Sequence, residues 1–120
     1  MLTIAALLFF LTGAAHSYLG ERYILIRLFK RDNLPKVLGG TDFTTGTLRF
    51  VWHLLTLVWW GIAVIVLMAS GKQVDTKTLL HAFSIIALVS GFFPLYFTRG
   101  RHLSWIVFFA AAALLWSGSP

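Results

Sequence analysis

His16 stands five residues before Glu21, His53 four residues after Arg49, and His102 directly after Arg101. Each of these imidazoles has a charged neighbour at the edge of a long uncharged run, so three separate segments would deliver a histidine to a similar depth. Converging imidazoles are what a divalent metal or a haem requires when thiols are absent, and the chain contains no cysteine. His16, His53 and His102 are therefore the candidate ligands, with Glu21 as a further ligand or as the acceptor that fixes one ring's tautomer. Arg49, Arg99 and Arg101, at the same level, would hold an anionic group such as a haem propionate or a phosphate headgroup. The same histidines could instead pass protons, because imidazole titrates near neutral pH. The plain alternative is that each ring is satisfied by a carbonyl or a headgroup. His81 lies near the other end of its segment and is expected to meet Ser84 or a tryptophan.

The elements that would position these residues follow from the distribution of charge. Hydrophobic residues make up 58% of the chain and charged residues 12%, far from the balance of a water-soluble domain. Uncharged runs cover residues 1–20, 50–71, 78–98 and 102–120. A helix of about 20 residues crosses roughly 30 Å of hydrocarbon. The expected fold is all-α, an integral membrane four-helix bundle in a single domain, residues 1–120, with helices near 2–20, 47–70, 78–98 and 102–117. The strict in-out alternation of a β-barrel strand is missing from every run. A secretory signal would carry basic residues before its apolar stretch, whereas here they follow it, at Arg22, Arg27, Lys30 and Arg31.

The first loop holds six Lys and Arg and the third two, against two in the second (Lys72 and Lys77). Positive loops stay inside, which makes the chain N-out/C-out with a cytoplasmic loop at 21–46. The net charge of +6 is thereby explained by topology and by anionic headgroups of the lipid bilayer, and no nucleic-acid reading module is present. Residues 21–31 have an amphipathic pattern that predicts a cytoplasmic interfacial helix lying flat after helix one. Residues 32–46 read as a flexible elbow, and Gly39-Gly40 lacks the spacing of a nucleotide-binding loop. Gly13, Ser17 and Gly20 approximate the small-residue spacing that lets helices approach closely. Trp59-Trp60 falls mid-run, where an indole N–H needs an acceptor, and Pro94 predicts a kink.

No catalytic constellation is complete. A Ser/His/Asp set would need Ser17, His16 and a buried acid, but Asp32, Asp42 and Asp75 all fall in loops. The stretches Gly13-Ala14-Ala15-His16-Ser17-Tyr18-Leu19-Gly20-Glu21, Trp52-His53-Leu54-Leu55-Thr56-Leu57-Val58-Trp59 and Gly100-Arg101-His102-Leu103-Ser104-Trp105 resemble a group of small four-helix bacterial inner-membrane proteins with no assigned activity. That resemblance implies a bacterial inner membrane with both termini periplasmic, and lends no mechanism. Two functions compete. One is a small transporter or cofactor-binding protein using the histidines for metal, haem or protons. The other is an accessory or assembly subunit, forming a homo-oligomer or joining a larger membrane complex through its small-residue face and tryptophan pair.

Overall fold

A computed structural model describes residues 1–71 and 74–120, so Lys72 of the loop charge count lies outside the described residues. The fold is all-helical. Helix α1 spans Leu2–Leu28, with α geometry over Leu2–Gly20, a π turn over Glu21–Leu25 and a closing α turn at Ile26–Leu28. Helices α2 (Asp42–Gly71), α3 (Thr76–Phe97) and α4 (Ser104–Ser117) follow. The first three have 27, 30 and 22 residues and are long and apolar enough to cross a membrane. The fourth has 14 residues, about 21 Å at about 1.5 Å per residue. It begins at Ser104 and not at 102 as expected, after a reversal in which Arg99 and Gly100 adopt φ of 53° and 76°.

The expected bundle does not close. Each helix packs on its neighbours in chain order, α1 on α2, α2 on α3 and α3 on α4, and the molecule measures 52 × 33 × 14 Å. The smallest extent is close to one helix diameter, about 10–12 Å with side chains. The helices therefore form a slab one helix thick. Apolar residues surround each helix instead of forming one stripe, so nothing in the pattern directs all four toward a shared axis. Ile4, Leu8, Val51, Ile85, Phe92 and Val107 all lie exposed on the slab.

Close approach between neighbours depends on glycine. A Cβ on Gly13 would stand 2.7 Å from Trp60 Nε1, and one on Gly61 would stand 2.6 Å from Ile86 Cδ1. Gly20 lies against the Trp52 indole, Gly46 against the Phe97 carbonyl and Gly91 against Phe109. Between α3 and α4 the Ser84 hydroxyl donates to the Ala112 carbonyl at 2.7 Å.

Two local expectations change. Residues 21–28 continue α1 instead of forming a separate interfacial helix, because Gly20 keeps helical angles (φ −63°, ψ −47°) and the chain absorbs one extra residue in the π turn. The elbow is ordered. Val37 and Gly40 form a bridge, the Thr44 hydroxyl donates to the Pro35 carbonyl at 2.8 Å, and the Arg101 guanidinium donates to the Leu38 carbonyl. At the far end Asp75 caps α3 by accepting from the Thr78 amide at 2.7 Å, which holds its carboxyl below the usual carboxylate range. His81 stacks on Trp116 with centroids 4.0 Å apart and bonds Ser119 at 2.9 Å.

Gly13→Leu should lower stability by about 1–3 kcal/mol through overpacking against Trp60. Gly71→Ala meets open space and should stay within about 0.5 kcal/mol. Denaturant unfolding in detergent, followed by tryptophan fluorescence, checks both.

Candidate functional site

The site grows from the seam between α1 and α2. Ser17 and Glu21 are four residues apart and share a face of α1; Arg49, His53 and Thr56 occupy spacings of four and three on α2. Antiparallel packing brings the two polar stripes together. The Glu21 carboxylate receives Arg49 Nη2 on Oε1 at 2.7 Å and Arg49 Nε on Oε2 at 3.2 Å, a two-point guanidinium contact. Its Oε2 also lies 2.9 Å from His53 Nε2. On the other side of the ring, His53 Nδ1 is 2.8 Å from Ser17 Oγ, and Ser17 Oγ is 2.7 Å from Thr56 Oγ1.

These distances define a single continuous chain, from Glu21 through His53 and Ser17 to Thr56. Its outer end is partly open, with the Glu21 side chain 29% exposed and that of Arg49 33%. Its inner end is closed, since Thr56 is 4% exposed. Neutral imidazole satisfies every group in one arrangement: Thr56 O–H donates to Ser17, Ser17 O–H donates to Nδ1, and Nε2–H donates to Glu21. The π turn begins at Glu21, where the Ile26 amide bonds the Glu21 carbonyl, and such turns often accompany functional positions.

His16 does not join this chain. Its Nε2 donates to the Trp52 carbonyl at 3.2 Å, while Trp52 Nε1 donates to the His16 carbonyl at 3.1 Å. The two rings stack with centroids 4.6 Å apart and planes within 3°. Below them Trp60 Nε1 donates to the Phe10 carbonyl at 3.0 Å, which answers the acceptor demand of that mid-helix indole. The small residues of α1 and the tryptophans of α2 thus meet each other within the chain.

His102 is held apart as well. Its Nδ1 accepts from the Ser104 hydroxyl at 2.9 Å, and its ring lies between Phe43 and Phe50. Among the described residues no group of three His, Asp or Glu side chains is arranged to hold a metal ion. Of the expected ligands His16, His53, His102 and Glu21, geometry joins only His53 and Glu21. Of the expected anion-binding residues, Arg49 belongs to that pair, while Arg101 lies across a pocket from it with Arg99.

Ser17 and Thr56 enter the site without having been singled out as its members. Their signal lies in the sequence as polar stripes at helical spacing, Ser17 with Glu21 and Arg49 with His53 and Thr56. Ser17 does meet a histidine that in turn meets an acid, but these are His53 of the neighbouring helix and Glu21 one turn along α1, not His16 and a loop aspartate. A hydrolytic role would also need oxyanion donors, and the amides around Ser17 lie within regular α1.

A double-mutant cycle of His53→Ala with Glu21→Gln should give a coupling of about 1–3 kcal/mol in detergent unfolding. The same cycle for His53 with His102, which share no hydrogen-bond partner, should come within about 0.5 kcal/mol of additivity. No family model matches this chain, and no curated protein or solved structure matches it either, so a functional reading has to come from the geometry of the site itself.

Proposed function

We propose that this protein is a small multi-pass transporter of the bacterial inner membrane that takes up and releases a proton at the Glu21–His53–Ser17–Thr56 chain. The observation that carries this reading is the His53 ring, whose two nitrogens are bonded at once, one to the half-open Glu21 carboxylate and the other to a hydroxyl pair leading inward. Histidine is the side chain suited to exchange a proton near neutral pH. Three helices of membrane-crossing length and composition support the membrane placement. The surplus of Lys and Arg around this end supports a cytoplasmic position for Glu21.

The proton balance is simple. On uptake, His53 becomes an imidazolium that donates from Nε2 to Glu21 and from Nδ1 to Ser17. Ser17 must then turn its O–H toward Thr56, and Thr56 must turn its own toward a carbonyl one helical turn back, an acceptor open to threonine in a helix. One added proton therefore reverses two hydroxyls. Glu21 faces the cation that forms, and the two-point contact with Arg49 keeps the carboxylate in place against His53. Release to the cytoplasmic side restores the first arrangement.

A metal or haem reading receives less support. His16 spends Nε2 on a carbonyl, His102 is turned to Ser104, and both nitrogens of His53 are taken. A second reading, an accessory subunit of a larger complex or a homo-oligomer, draws on a different observation: the slab leaves apolar surface on both faces. In lipid such surface needs no protein cover, so the proton chain weighs more.

In liposomes loaded with a pH-sensitive dye, an imposed gradient should acidify vesicles containing the wild-type protein faster than empty ones. His53→Ala and Glu21→Gln should fall to the empty-vesicle rate while still inserting and keeping their helix content. Wild-type vesicles indistinguishable from empty ones would remove the transport reading and favour the accessory subunit. Nitrogen-15 NMR of labelled histidine offers a second check: neutral His53 should carry its proton on Nε2, and Ser17→Ala should perturb Nδ1 selectively.

A further inference from the structure

A polar pocket of about 220 Å³ opens beside this chain, lined by Asp42, Thr45, Arg49, Thr98, Arg99 and Arg101. It lies between the first turns of α2 and the reversal joining α3 to α4. Three arginines face one small volume, against one carboxylate. Arg49 is paired with Glu21, but Arg99 and Arg101 have no carboxylate within salt-bridge distance among the described residues. Asp42, although on the same wall, is not paired with any of the three. Two guanidinium charges are thus gathered with one carboxylate on the wall but none in salt-bridge contact among the described residues.

The backbone around the pocket is specialised. Leu38 and Arg99, at φ of 54° and 53°, are the non-glycine residues with left-handed backbone among those described. Both border this region: Arg99 lines the pocket and the Leu38 carbonyl accepts from Arg101. A left-handed conformation is unfavourable for a side-chain-bearing residue, and Gly100 stands directly beside Arg99 as the easier choice. The bond from Arg101 to Leu38 fixes the otherwise mobile guanidinium stem, and Trp105 Nε1 donates to the Gly100 carbonyl at 3.1 Å, bracing the reversal.

We infer that this pocket binds a phosphate-class anion through Arg99, Arg101 and the face of Arg49 turned away from Glu21. Guanidinium groups suit phosphate oxygens because they present paired N–H donors in one plane. Thr45 offers a hydroxyl on the same wall, and the first turn of α2 adds the positive end of a 30-residue helix. Asp42 disfavours a large multivalent anion and leaves the pocket suited to a single phosphate, either as a phosphodiester headgroup or as free phosphate. The inference shares the membrane placement proposed above but does not depend on proton transfer. Arg49 would link the two sites, since one guanidinium touches both.

The test uses purified protein in mixed micelles of phosphatidylglycerol and phosphatidylcholine, with bound lipid counted by native mass spectrometry, and inorganic phosphate titrated separately by isothermal calorimetry. Preferential retention of phosphatidylglycerol identifies a headgroup, and saturable phosphate binding without lipid preference identifies the free anion; either supports the site. Arg99→Gln with Arg101→Gln should weaken the retained anion by about tenfold or more for each charge-assisted bond lost. A charge-matched control, Lys30→Gln with Arg31→Gln, should retain it, because both residues lie outside the pocket lining. Helix content by circular dichroism confirms that the variants fold. Equal binding by the wild type and the Arg99/Arg101 variant overturns the inference, as does an equal loss in the Lys30/Arg31 control. A His53→Ala variant, which leaves the Glu21–Arg49 contact in place, that lacks proton uptake but keeps the anion separates this site from the proton chain.

Discussion

The contact between α1 and α2 is the constraint on which the rest depends. Gly13, Ser17 and Gly20 form a low ridge on α1, and Trp52, Thr56 and Trp60 form the opposing ridge on α2. The missing side chains let two indoles lie directly on the α1 backbone and donate to its carbonyls. Each such bond satisfies an N–H that would otherwise be left in an apolar environment at a cost of roughly 1–3 kcal/mol. Only at that separation can Ser17 bridge His53 and Thr56 with bonds of 2.8 and 2.7 Å. The polar chain is therefore a product of tight packing, and a bulkier α1 would pull it apart.

The same seam resolves an electrostatic problem. Glu21, Arg49 and His53 sit where water reaches them only in part, and an unpaired charge there would be expensive. Glu21 is satisfied by three donors, from two residues, on its two oxygens. Removing any member leaves the others under-satisfied, so the group behaves as a unit. His16, although close in sequence, serves another purpose: with Trp52 it forms a reciprocal ring-to-carbonyl staple between the helices.

The flat arrangement of the helices has its own consequence. A slab one helix thick leaves most large apolar side chains exposed, a poor arrangement in water, where a small domain is stabilised by the apolar surface it buries. In lipid the same surface is already in its preferred solvent, and small residues with polar hydrogen bonds are enough to join neighbouring helices. Seams at Gly61 with Ile86 and at Ser84 with the Ala112 carbonyl follow that rule. The slab also keeps both polar features at one end, with Arg49 common to the chain and to the arginine pocket.

Much of this organisation was written in the sequence. Long uncharged runs determine that the chain is helical and apolar, and three of the helices fall where those runs predict, each long and apolar enough to cross a membrane. The clustering of Arg49, His53 and Glu21 at one level could be read from their distance to the run edges. What spacing could not decide is which histidine meets the carboxylate. His16, His53 and His102 are equivalent by depth; only the rotation of α1 and α2 about their axes turns His53 toward Glu21 and His16 toward Trp52, and only the reversal before α4 turns His102 toward Ser104. Nor could it decide between a closed bundle and an open row, because helices that are apolar all round carry no pattern naming their partners. Those choices belong to the tertiary structure, where close packing at glycine and the pairing of polar groups select one rotation and one neighbour.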